Sequence, residues 1–197
     1  MLDKPCMHWP HQLPTLIART KELQFDMASE EHTGALLQVL AASKPGGKLL
    51  ELGTGTGIGT AWLLSGMDDT STLSSVETDE RMQGVARDVL GSDSRLNLIL
   101  EDGATFLRRQ PEKIFDLIFA DAMPGKFEVL DETLKLVKHG GFYVIDDLLP
   151  QPNWPEGHGG RVDILMYRLS ADPRFSMVPI SWSTGVAVLV RRPKFAD

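Results

Sequence analysis

Glycine and threonine alternate inside an apolar segment, "LLELGTGTGIGTAWLL", that runs from Leu49 to Leu64. Glycine within a strand or helix costs stability, so a cluster of glycines at this place needs a reason. Gly53, Gly55 and Gly57 form a G-x-G-x-G pattern, which differs from the G-x-G-x-x-G fingerprint of dinucleotide-binding proteins. No Gly-Lys-Ser/Thr follows, so the segment is not a P-loop either. The pattern predicts a strand-to-helix turn whose backbone lies close to a ligand that has no pyrophosphate.

Short apolar runs alternate with helix-like segments along the middle of the chain. The predicted strands span residues 48–52, 72–76, 96–100, 115–120 and 142–145, and the predicted helices span residues 59–65, 80–90, 105–109 and 127–137. This alternation is typical of βαβ units, so we expect a parallel sheet with helices on both faces. After a Pro- and Gly-rich loop at residues 148–160, a helix near 162–170 and two strands near 175–180 and 186–190 predict an antiparallel edge hairpin.

Two further helices are expected before the sheet, near residues 13–26 and 30–42, with Ser29 placed to cap the second. No linker or repeat divides the chain. We therefore predict a single domain of residues 1–197, in which helices of residues 1–45 form a cap on an α/β core of residues 46–197.

The net charge limits the kinds of molecule that the chain is expected to bind. The formal net charge of the 197 residues is −7, which argues against binding to nucleic acids or to anionic membranes. The single cysteine, Cys6, excludes an internal disulfide framework. With no signal peptide or membrane span apparent in the sequence, we expect a cytoplasmic protein.

The glycine-rich segment resembles motif I of the class I S-adenosylmethionine-dependent methyltransferases. "SEEHTG" before it, and "GGFYVIDD" and "STGVAVLVRR" after it, are similar to segments of the small-molecule O-methyltransferases of the catechol and caffeoyl-CoA type. The resemblance implies a Rossmann-like fold with a seven-stranded, mostly parallel sheet in the order 3-2-1-4-5-7-6, the last strand being antiparallel. It also implies S-adenosylmethionine as cofactor, a small-molecule methyl acceptor and a homodimer.

Acidic residues at the ends of predicted strands are the other candidate cofactor ligands. Glu77 follows the second strand, where a carboxylate can accept hydrogen bonds from a ribose diol. For Asp102, after the third strand, the resemblance implies contact with the adenine amino group, and the alternative is a helix cap. The predicted cofactor-binding residues are Glu51, Gly53, Thr54, Gly55, Gly57, Glu77, Asp102, Gly103, Ala104 and Asp121.

Three aspartates at the ends of the fourth and fifth strands form a candidate metal site. Asp121, Asp146 and Asp147 should converge at the carboxyl edge of the sheet, and oxygen ligands of this kind suit Mg²⁺ or another hard cation. The resemblance implies that such a cation binds the acceptor and lowers the pKa of its hydroxyl group. Asp147 stands where the similar enzymes usually have Asn.

The catalytic base is the point at which the chain departs from the family pattern. Pro124 occupies the position of the family's lysine, three residues after Asp121. Lys126 can replace that lysine only if the Gly125 loop is rearranged, and His158 in the long loop is the other candidate base. The predicted catalytic residues are therefore Asp121, Lys126 and His158.

The sequence thus predicts a methyltransferase that modifies a hydroxyl oxygen of a small, catechol-like molecule. Two alternatives stay open at this point. The first is another enzyme on the same scaffold, either a metal-independent methyltransferase with a different acceptor or an aminopropyl transferase. The second is a cofactor-binding module without catalytic activity.

Overall fold

The computed structural model describes residues 8–193, so Cys6 lies outside the described residues. The helices are α1 Leu13–Glu22, α2 Glu31–Ala42, α3 Ile58–Gly66, α4 Glu80–Leu90, α5 Gly103–Arg108, α6 Met123–Lys126, α7 Leu130–Leu136 and α8 His158–Ser170. The strands are β1 Lys48–Leu52, β2 Thr72–Glu77, β3 Leu96–Leu100, β4 Phe115–Ala120, β5 Val137–Ile145, β6 Phe175–Ile180 and β7 Val186–Arg191.

All seven strands form one sheet in the order β3-β2-β1-β4-β5-β7-β6, which confirms the predicted fold class and strand order. β1 to β5 pair in parallel, whereas β7 runs antiparallel to both β5 and β6. The parallel strands therefore end along one edge, and the loops that follow them meet there.

Each face of the sheet packs against its own set of helices. Successive β4 side chains point to opposite faces, so Phe119 packs with Leu37 and Trp62 on the face covered by α1 to α4. Ile118 packs on the other face, where Tyr143 and residues of α5, α7 and α8 lie. Across residues 8–193, no helix is both long enough and apolar enough to cross a membrane.

Some boundaries differ from those expected. β5 begins at Val137 and not at residue 142, because it continues past Gly140 and Gly141 with an irregularity in its pairing to β4. The helix predicted for residues 127–137 is shorter in the structure, where α7 spans Leu130–Leu136, and the separate short turn α6 precedes the predicted range. α8 begins at His158, four residues earlier than expected.

The expected capping of α2 by Ser29 is wrong. Glu30 is the N-cap residue of α2, and its side chain makes no capping hydrogen bond. The Ser29 hydroxyl instead donates to Asp121 Oδ2 at 3.3 Å. The segment between α1 and α2 thereby contacts the carboxyl edge of the sheet.

Candidate active site

A cavity of about 650 Å³ lies at the carboxyl edge of the parallel strands. Its wall includes the segment between α1 and α2, the turn after β1 and the loops after β2, β4 and β5. The predicted site residues that line it are Gly53, Thr54, Gly55, Glu77, Gly103, Asp121, Lys126, Asp146, Asp147 and His158. Glu51, Gly57, Asp102 and Ala104 are not part of the lining.

The turn after β1 lies against the loop after β4. Gly53 has φ of +96°, and a Cβ atom there would lie 2.6 Å from the Asp121 carbonyl oxygen. The Gly53 N–H donates to the Val76 carbonyl at 2.9 Å, which ties the turn to the end of β2. Because any side chain at Gly53 would meet backbone atoms, the turn needs glycine at this position.

Glu77 connects the glycine turn with the end of β2. Its carboxylate accepts hydrogen bonds from the backbone N–H groups of Gly55 at 2.9 Å, Thr78 at 2.7 Å and Asp79 at 3.0 Å. A carboxylate has about four acceptor positions. The Thr78 hydroxyl also donates to Oε1 at 3.4 Å, so Oε1 accepts three hydrogen bonds, whereas Oε2 accepts only the one from Gly55. Oε2 therefore keeps acceptor capacity while Glu77 lines the cavity.

Glu51 lies beneath the turn and is fully buried. The hydroxyl groups of Thr60 and Ser75 both donate to its Oε2 at 2.5 Å, whereas Oε1 has no hydrogen-bond partner among the described residues. Burial is the main cause that raises the pKa of Glu51 to about 8, and the charges of Asp121 and Glu77 contribute to the same increase. Glu51 thus supports the turn from below and does not line the cavity.

Asp102 is the N-cap of α5. Its carboxylate accepts a hydrogen bond from the Thr105 N–H at 2.7 Å. Hydrogen bonding to the side chain and then to the backbone of Thr105 lowers the pKa of Asp102. The neighbouring Glu101 lines the cavity instead and forms an ion pair with Arg109. Glu101 was not among the predicted ligands, although it follows β3 directly, where acidic residues of a parallel sheet reach the ligand-binding edge.

The three aspartates predicted as metal ligands surround a lysine. Lys126 Nζ lies 3.5 Å from Asp121 Oδ1 and 3.8 Å from Asp147 Oδ2, and it donates to the Asp146 carbonyl oxygen at 2.9 Å. Asp146 Oδ1 accepts from Thr184 Oγ1 at 2.7 Å and from the Asp147 N–H at 2.9 Å. Burial raises the pKa of Asp121 to about 7 and also raises the pKa of Asp146.

The backbone before Lys126 explains how its side chain reaches this position. Pro124 has ψ of 137° and Gly125 has φ of +90°, so the chain leaves helical geometry inside α6. The Tyr143 hydroxyl donates to the Gly125 carbonyl, and a Cβ atom at Gly125 would lie 2.7 Å from Leu52 Cδ1. The Gly125 loop is therefore rearranged, which is the condition for Lys126 to take the place of the family's lysine.

Within residues 8–193, no group of three or more His, Cys, Asp or Glu side chains is arranged to hold a metal ion. The surroundings of the candidate metal ligands explain this. The Lys126 ammonium group lies among the carboxylates, and Asp146 Oδ1 already accepts two hydrogen bonds. Asp121, Asp146 and Asp147 therefore do not fit a divalent cation in this arrangement.

Aromatic side chains form the wall next to Lys126. The His158 ring is 4.6 Å from the Trp154 ring and 5.1 Å from the Phe127 ring, measured between centroids. All three residues line the cavity, and the Arg161 guanidinium lies over the Phe127 ring, 4.7 Å from its centroid. A flat, apolar molecule can pack against such a wall.

We predict that Glu51→Gln changes how stability depends on pH. A carboxyl group with a pKa of about 8 in the folded protein and 4.5 when unfolded binds more protons in the folded state, so the free energy of unfolding falls as pH rises between these values. The Gln side chain stays neutral and avoids that loss, which amounts to about 1.4 kcal/mol per pKa unit.

Urea unfolding of both proteins at pH 5 and pH 8.5 measures this difference. The variant should gain stability relative to the original protein at the higher pH, whereas the exposed control Glu112→Gln should show no such gain. Parallel pH profiles for Glu51→Gln and the original protein would contradict a raised pKa.

Comparison with known proteins agrees with this architecture. A protein of Mycolicibacterium smegmatis named as a candidate O-methyltransferase is 31% identical over 138 residues, which are 66% of this chain and 66% of that protein. A protein of Mycobacterium sp. strain KMS, 30% identical over 138 residues, is covered over 63% of its length, so the chain spans just under two thirds of the length of these two relatives.

Solved structures share the fold over nearly the whole chain. The O-methyltransferase TomG of Streptomyces achromogenes, in complex with SAM, has a TM-score of 0.80 at 21% identity and covers 96% of this chain and 93% of its own. An O-methyltransferase of Bacillus cereus in complex with SAH has a TM-score of 0.80 at 19% identity, with coverage of 95% and 94%.

The sequence profile of a family described as "Methyltransferase domain" matches residues 50–148 of the 197. The match begins in β1, ends just after β5 and includes the glycine turn, Glu77 and the three aspartates. The chain therefore belongs to the methyltransferase-domain family.

Proposed function

We propose that this protein transfers the methyl group of S-adenosylmethionine to a hydroxyl oxygen of a small molecule. The observation that carries the proposal is the single cavity that joins the glycine turn and Glu77 to Lys126 and His158. The part lined by the glycine turn and Glu77 suits a nucleoside-containing methyl donor. The part lined by Lys126 and His158 suits a flat methyl acceptor. The family and the relatives named as O-methyltransferases support this assignment.

The donor is expected to bind along the ends of β1 and β2. Glu77 would accept hydrogen bonds from the two ribose hydroxyl groups, since its carboxylate lines the cavity and retains acceptor capacity. The turn at Gly53 and Gly55 lies beside it, and S-adenosylmethionine has no pyrophosphate for a helix N-terminus to bind. TomG and the Bacillus cereus enzyme, which share the fold, were crystallised with SAM and SAH respectively.

The predicted divalent cation finds no support in the aspartates of this site. A cation such as Mg²⁺ needs several oxygen ligands that face one point, and Lys126 Nζ lies at 3.5 Å from Asp121 and 3.8 Å from Asp147. We therefore propose the metal-independent form of the transfer.

The chemistry is an SN2 displacement. The acceptor oxygen attacks the methyl carbon as the carbon–sulfur bond breaks, and the bonding electrons leave with sulfur, which turns the sulfonium into a neutral thioether. Because the donor is already activated, the protein mainly aligns the reactants and excludes water. The hydroxyl proton needs a base, for which we propose His158.

His158 suits this role by position and by charge state. It lines the cavity at the first residue of α8. Partial burial and the positive charges of Arg161 and Lys126 lower the pKa of His158 below its ordinary value of 6.5. The imidazole is therefore neutral at pH 7 and able to accept a proton.

The alternatives have distinct experimental outcomes. Aminopropyl transfer would give methylthioadenosine and not SAH when the matching donor is supplied. A module without catalytic activity would bind SAH but transfer no methyl group to any of a panel of phenols, catechols and alcohols. The homodimer, the cytoplasmic location and the lack of nucleic-acid or membrane partners stay predictions.

Glu77→Gln should weaken SAH binding by about tenfold or more, because hydrogen bonds to a charged acceptor contribute about 1.5–3 kcal/mol. Isothermal titration calorimetry of SAH into the original protein should show saturable binding to one site. The control Glu112→Gln removes an exposed charge outside the cavity and should bind SAH normally. Equal affinity for SAH in all three proteins would place the ribose elsewhere.

His158→Gln should lower kcat by about 10²-fold or more, the range for removing a general base. In the original protein, kcat/KM should fall on the acid side with a midpoint below pH 6.5, because the pKa of His158 is lowered below its ordinary value. The variant should lose this acid limb. Both kcat and the pH dependence of kcat/KM are measured from the rate at which SAH forms from SAM with the most active acceptor of the panel.

His139→Gln, an exposed histidine at the opposite end of β5, serves as the control and should keep the original profile. An unchanged kcat and acid limb in His158→Gln would exclude His158 as the base.

A further inference from the structure

The ammonium group of Lys126 has more donors than the protein uses. The side chain is 5% exposed, yet the residue lines the cavity. Lysine has three N–H donors. Among residues 8–193, Nζ makes one hydrogen bond, to the Asp146 carbonyl at 2.9 Å.

The two nearest carboxylates balance the charge of Lys126 without using its other donors. Asp121 Oδ1 at 3.5 Å and Asp147 Oδ2 at 3.8 Å are ion-pair contacts that are longer than ordinary N–H···O hydrogen bonds. A buried donor without an acceptor costs free energy, so two N–H groups of Lys126 are available to an oxygen atom of a ligand.

The wall beside Lys126 defines the rest of that ligand. Phe127 follows Lys126 directly in the chain, and its ring packs edge-on against His158, which also contacts Trp154. Aromatic side chains on one wall of the cavity favour a planar ring. A phenol combines a planar ring with a nucleophilic oxygen atom that can carry negative charge.

We propose that the acceptor is a phenol and that Lys126 binds its reacting oxygen as the phenolate, in the position where a divalent cation was expected. This inference rests on the proposed methyl transfer. Lys126 is then a catalytic residue, because it contacts the atom that attacks the methyl group. The two aspartates hold the ammonium in place, and the Tyr143–Gly125 hydrogen bond holds the backbone that carries it.

The charges balance in this step. The phenol proton passes to His158, and the phenolate oxygen then forms its bond to the methyl carbon while the carbon–sulfur bond breaks. One negative and one positive charge disappear together, giving an aryl methyl ether and SAH. Lys126 keeps its proton throughout.

Absorbance titration with 4-nitrophenol tests the proposal, because its phenolate is yellow and its neutral form is not. The original protein, with and without SAH, is titrated at a pH where free 4-nitrophenol is mostly neutral. We expect a saturable phenolate band. Lys126→Gln keeps a donor for the Asp146 carbonyl but has no charge, so it should lose the band and bind 4-nitrophenol about tenfold more weakly or worse.

Two further variants separate charge from structure. Lys126→Arg should retain part of the band, and Lys135→Gln, which removes an exposed lysine on α7, should retain all of it. SAH affinity by calorimetry should be the same in all variants, so a failure of the donor site appears in calorimetry and a failure of this proposal appears in the phenolate band.

Three results would overturn the proposal. The first is no phenolate band in the original protein, and the second is an undiminished band in Lys126→Gln. The third is a band that disappears with EDTA and returns with Mn²⁺, since a metal ion would then hold the oxygen.

Discussion

The ammonium group of Lys126 lies among three aspartates at the ends of the two central strands β4 and β5, and the geometry of the acceptor side depends on it. Carboxylates in a protein interior repel one another and lose hydration, so their burial requires a cation or protonation. Lys126 provides the cation from within the chain, at 3.5 Å from Asp121 and 3.8 Å from Asp147. The site thereby has a fixed positive charge beside an aromatic wall.

The donor side depends on backbone geometry and only secondarily on charge. Gly53 lets the turn after β1 lie against the Asp121 carbonyl, and Glu77 binds the Gly55 N–H from the end of β2. Buried Glu51 supports the same turn through Thr60 and Ser75. Asp121 therefore contacts Lys126 and also borders the glycine turn, so the donor and acceptor parts of the cavity share a wall.

The sequence predicted those features that follow from local pattern. Alternating strands and helices gave the α/β class, the family resemblance gave the strand order, and acids at strand ends correctly indicated the edge where the cavity lies. The position of Lys126 could not be predicted, because Gly125 has φ of +90° at a point where Tyr143 donates to its carbonyl and Leu52 leaves no room for a side chain, and both residues are distant in sequence. The metal site was expected for the same reason: spacing places the aspartates together but does not show what lies between them.

A crystal structure of the protein with SAH tests the account most directly. It should show the ribose hydroxyl groups on Glu77 and the thioether sulfur facing the part of the cavity that Lys126 and His158 line. SAH bound with its ribose away from Glu77, or a metal ion among the aspartates with Lys126 displaced, would contradict the arrangement of donor and acceptor described for this site.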